Sequence, residues 1–197
     1  MIRWFSAALA PILLCCGTSA HAADVATIDC VGKLLDPATA NAISGDFQTS
    51  IERARSGLPD LPAQKGSASD PAARAEVDRV AARCGDLNGW TLGARAVASD
   101  YALKELALPL FEAAVLDDGI DPTQITRLSK ELPGSASGWE EEPLSEQGKS
   151  LRIVAVLTMR LLRAGISLQT PQQQRDVYAL ALWLVDLDNA RTHFIAA

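Results

Sequence analysis

The chain has 197 residues, 48% hydrophobic and 21% charged, with 24 Asp+Glu against 18 Lys+Arg and a formal charge of −6. That length supports one core of ordinary size. The acidic balance argues against a nucleic-acid backbone as partner, because phosphate binding needs a basic surface.

The first 22 residues read as a cleavable secretory leader. Arg3 supplies the basic start, an apolar run follows from Trp4 to Cys16, and small residues lead to Ala20-His21-Ala22. This order predicts cleavage between Ala22 and Ala23. A membrane anchor fits less well, since a span needs about 20 apolar residues and this run is shorter and holds Pro11. A lipid-modified Cys15 or Cys16 also fits less well. Such signals want a small residue just before the cysteine, and Leu14 and Cys15 stand there. Arg3 is the one Lys or Arg in the leader, so cleavage takes the formal charge from −6 to −7.

Of the four cysteines, Cys15 and Cys16 leave with the leader. Cys30 and Cys84 remain as an even pair and are expected to form one disulfide in an oxidising compartment. Redox pairs usually sit two residues apart and zinc needs four ligands, so neither function is expected of them.

Helix starts are the clearest signal downstream. Asp36-Pro37, Asp70-Pro71, Asp121-Pro122 and Thr170-Pro171 repeat one device. The Asp or Thr side chain caps exposed N–H groups, and Pro suits the first helical position. The expected elements, in order, are a turn over Cys30 to Leu35 and helices from Pro37 to Ser56 and from Pro71 to Cys84, the latter stopped by Gly85. A third runs from Trp90 through Leu108, where Pro109 kinks it or starts a new segment ending at Asp118-Gly119. The rest run from Pro122 to Leu132, Ser145 to Ala164 and Pro171 to His193. Segments near 57–70 and 133–144 read as mobile loops. Strand patterning is poor.

These signals predict an all-α fold: a compact bundle of five to seven helices with one disulfide, in a single domain over 23–197. The last two helices are expected at its centre. Ile153, Val154, Leu157 and Leu161 share a face, opposite Lys149, Arg152, Arg160 and Arg163. Val177, Leu180, Ala181 and Leu184 form one stripe of the final helix, and Tyr178, Leu182 and Val185 another. Part of that last helix is also a candidate homo-oligomer contact.

Chemistry-bearing motifs are scarce. No cofactor and no metal site is expected. His193, the single histidine after cleavage, sits where it can meet the last helix carbonyls. Asp117, Asp118 and Asp121 surround Gly119 but lack the calcium-loop pattern, with Pro122 at the sixth place and Ser129 at the twelfth. Asp100, Glu105 and Glu112 lie on one helical region as candidate paired acids. Trp139 with Glu140, Glu141 and Glu142 forms an aromatic and acidic loop motif, the candidate partner contact. The function expected is that of an exported, periplasmic or secreted, non-enzymatic binding protein of the bacterial cell envelope, with a protein or envelope component as partner. The alternative is a small cell-wall hydrolase using paired carboxylates.

Overall fold

The computed structural model describes residues 23–56, 70–130, 132 and 146–197. The expected leader, the loops expected near 57–70 and 133–144 (Asp70 excepted), and the Trp139–Glu142 motif lie outside the described residues. After a 3-10 turn at Val25–Thr27 come seven α-helices: α1 (Cys30–Leu34), α2 (Pro37–Arg55), α3 (Pro71–Asn88), α4 (Leu92–Asp117), α5 (Pro122–Lys130), α6 (Glu146–Arg163) and α7 (Pro171–Ala196). There is no strand among the described residues, so the protein is an all-α bundle.

The predicted caps form. Asp36 accepts from the Thr39 N–H at 2.9 Å, Asp70 from Ala72 at 2.8 Å and Asp121 from Thr123 at 2.9 Å. The Thr170 hydroxyl accepts from the Gln173 N–H at 3.1 Å while the Gln173 side-chain Oε1 accepts from the Thr170 N–H at 3.2 Å, a reciprocal capping box. Each cap satisfies donors that the helix leaves unpaired, for about 1 kcal/mol.

Two boundaries differ from the sequence expectation. α3 does not stop at Gly85. It continues to Asn88 and ends at Gly89, which takes the left-handed conformation at φ 69°. Gly85 instead makes room for a neighbour, since a Cβ there would run into the Arg95 side chain. α4 also runs unbroken through Pro109. Proline removes the N–H that would reach the Glu105 carbonyl. One residue earlier, the Trp183 indole donates to the Lys104 carbonyl at 2.8 Å, bonding the helix from outside beside this gap.

The expected centre also changes. α4 and α7 form the spine, and α6 lies at the edge, packing on α5 and α7. Ala94, Ala98, Ala102 and Ala107 of α4 are all buried, so neighbouring helices approach its backbone closely. α6 does bury the predicted Leu157 and Leu161, but Leu151 and Leu162 remain 65% and 66% exposed.

Two apolar cores share the spine. One gathers Val31, Ile43, Val77, Leu103 and Phe194 around α1–α4 and the end of α7. The other gathers Val115, Ile125, Leu157, Val177 and Leu180 around α5, α6 and the start of α7. Leu108 and Phe111 pack against both. Cys30 and Cys84 are joined, with Cα atoms 6.0 Å apart, pinning α1 to α3 in the first core. No described helix is long and apolar enough to cross a membrane.

Candidate functional site

Where the two cores meet, α4, α5 and α7 line a partly open cavity of about 190 Å³. Leu108, Leu132, Leu184, Val185 and Leu187 give it apolar walls. Its polar groups come from the same three helices. Tyr101 and Glu105 stand one turn apart on α4, Ser129 and Lys130 end α5, and Asp188 and Arg191 stand three residues apart on α7.

Tyr101 organises one side. It is almost fully buried, and a buried phenol seeks partners. Its hydroxyl donates to Glu105 Oε1 at 2.9 Å and accepts from Arg191 Nη2 at 2.6 Å and Nε at 3.1 Å. The guanidinium carbon also lies 5.3 Å from the Tyr101 ring centre. Burial, then the Glu105 hydrogen bond, push the phenol well above its ordinary range, so it stays protonated. Arg191 and Glu105 therefore meet through a neutral hydroxyl, not as a direct ion pair. Glu105 Oε2 lies on the α1 side, 3.7 Å from where a Cβ on Gly32 would stand.

The opposite side is less engaged. Lys130 and Asp188 make no ion pair within 4.0 Å among the described residues. The Ser129 hydroxyl is buried in the wall with no hydrogen-bond partner among the described residues, which costs about 1–3 kcal/mol. The cavity thus combines apolar walls with two carboxylates and two cations that do not neutralise one another directly.

A second polar cluster ties three helix ends. Arg55, ending α2, lies 3.1 Å from Asp118 Oδ1 and 3.0 Å from Asp176 Oδ2. The second contact is an ion pair without hydrogen-bond geometry. Gln172 donates to Asp118 Oδ1 at 2.9 Å and Gln173 to the Asp118 carbonyl at 3.0 Å. Burial raises the Asp176 carboxyl above its ordinary range. Arg55 opposes this, and the adjacent Asp118 carboxyl adds to it. Asp118 ends α4, where negative charge is unfavourable, and the Arg55 cation offsets that. The geometry is that of a structural clasp, closing α2 and α4 onto the first turns of α7.

The remaining sequence candidates fall elsewhere. Asp100 pairs with Lys104 at 2.8 Å, so of the three α4 acids Glu105 alone lines the cavity. Asp121 caps α5, and Asp117 touches Arg55 at 3.6 Å. Arg160 donates to the Leu128 carbonyl at 3.1 Å, in the last turn of α5. His193 is exposed in the last turn of α7. Among the described residues no three His, Cys, Asp or Glu side chains gather as a metal-holding group. Sequence reasoning missed Tyr101, Ser129, Lys130 and Arg191. The available signal was Tyr101-Glu105 at the four-residue spacing of one helix face.

No family model, curated protein or solved structure matches this chain.

Proposed function

We propose that the protein is an exported, non-enzymatic binding protein of the bacterial cell envelope, which holds a small group of its partner or ligand in the cavity between α4, α5 and α7. The observation that carries this reading is a cavity with apolar walls lined by two carboxylates and two cations, of which Glu105 and Arg191 meet through the Tyr101 hydroxyl while Lys130 and Asp188 make no ion pair within 4.0 Å among the described residues. Lys130, Asp188 and Arg191 stand at exposed positions around the cavity, so a ligand can meet charges of both signs while its apolar part lies against the leucine and valine walls. The leader pattern and the Cys30–Cys84 bond support export, since such bonds persist in oxidising compartments.

The hydrolase reading keeps one point in its favour, because Glu105 and Asp188 line the same cavity. Against it, Tyr101 already occupies Glu105 Oε1, and a cavity of about 190 Å³ is small for a glycan strand.

Expression of the full chain with its leader in a bacterial host, followed by fractionation, tests the proposal. The expected product begins at Ala23, holds no free thiol, gains thermal stability from an envelope small-molecule fraction and releases no soluble fragments from peptidoglycan. Retention of the leader with two free thiols, or fragment release, overturns it.

A further inference from the structure

We infer that the cavity's ligand class is a small zwitterion with an apolar body, of the size and charge of a single aliphatic amino acid. This rests on the reading of the cavity as a binding site. Four ionisable side chains line it, two of each sign: Glu105 and Asp188, Lys130 and Arg191. A ligand of one sign would gain two partners and be repelled by the other two groups. A neutral ligand would gain no charged partner from any of the four. A zwitterion supplies an anion to the cations and a cation to the carboxylates.

The spacing is built to last. A direct Arg191–Glu105 contact would neutralise both groups, but the Tyr101 hydroxyl stands between them and is fixed by three hydrogen bonds. Arg191 spends Nε and Nη2 on Tyr101. Its Nη1 is not used by that contact. Lys130 and Asp188 approach from different helices without pairing within 4.0 Å. The walls between the charged groups are leucine and valine, which suits an aliphatic side chain. The volume of about 190 Å³ lies below the ~300–1,000 Å³ of sites for larger ligands.

Isothermal titration of the disulfide-bonded mature protein tests the class with three probes that share the same branched aliphatic chain. Free leucine carries both charges, isopentylamine the cation alone and isocaproate the anion alone. Leucine is expected to bind about tenfold more tightly than either analogue, a loss that one unsatisfied charged contact produces. Lys130→Gln and Asp188→Asn, both at solvent-exposed positions, are each expected to weaken leucine by a similar factor without changing the melting temperature. If isopentylamine or isocaproate matches leucine, the zwitterion class is wrong while the cavity stands as a binding site. If the three probes give no heat but an envelope small-molecule fraction does, and Lys130→Gln abolishes that heat, the class again fails alone. If neither gives heat, both the class and the binding-site reading fall.

Discussion

Removing the Cys30–Cys84 bond gives a loss of stability whose size follows from the loop it closes. The two residues are 54 apart in sequence, and closing a loop of that length removes about 4 kcal/mol of unfolded-chain entropy. Cys84 is fully buried, and Val31 of α1 is buried beside it in the first core. The C30A/C84A variant therefore keeps its apolar packing and adds no polar atom to the core. For a domain of this size each kcal/mol moves the melting temperature by about 2–4 °C, so a drop of roughly 10 °C is expected. Urea melts followed by circular dichroism, with thermal melts beside them, measure it against the oxidised protein. Helix content before unfolding should be unchanged. Equal stability of variant and oxidised protein would refute the reasoning, because it would mean that the crosslink restricts nothing in the unfolded chain.

Four further outcomes follow from named contacts. Arg55→Met leaves Asp118 and Asp176 together without their cation and is expected to cost about 3 kcal/mol; adding Asp176→Asn should recover part of that, as read by urea melts of both variants. Asp176 binds its proton more tightly when folded than its ordinary value of 3.8 allows. Its contribution to stability is thus present below that value and is lost as pH rises through the higher folded value; the Asp176→Asn melt series should lack this decline. Ser129→Ala removes a buried hydroxyl that has no partner among the described residues and is expected to stabilise the ligand-free protein by about 1 kcal/mol, an outcome that a loss of stability in the same melts would contradict. In an alkaline titration followed by near-ultraviolet absorbance, Tyr101 should stay protonated well past the ordinary phenol range and ionise together with unfolding, whereas Tyr101→Phe should abolish that late step.

The parts of the fold legible from sequence were those set by neighbours in the chain. Asp36, Asp70, Asp121 and Thr170 each cap the helix they precede, because cap and proline lie within three residues of the N–H groups they serve. The disulfide was legible because Cys30 and Cys84 are the two cysteines outside the apolar N-terminal segment. The centre of the bundle was not. Large aliphatic residues marked α6 and α7, whereas the burial of α4 depends on alanines that matter through close helix approach. Gly85 resembles a helix stop until Arg95, from the next helix, is placed over it. The cavity was illegible for the same reason. Tyr101 and Arg191 are 90 residues apart, and nothing in the local pattern of α4 says that α7 brings a guanidinium to that phenol. The Arg55 clasp likewise joins residues from α2, α4 and α7.

Amide chemical-shift mapping tests the binding role of the cavity most directly. A chain of residues 23–197 with the Cys30–Cys84 bond formed is labelled with nitrogen-15 and titrated with free leucine. The prediction is a saturable set of shifts concentrated on the three stretches that face one another across the void: 101–108 in α4, 126–130 in α5 and 184–191 in α7. Shifts centred instead on the Arg55 clasp or the outer face of α6, or no saturable shifts with either leucine or an envelope extract, would contradict it.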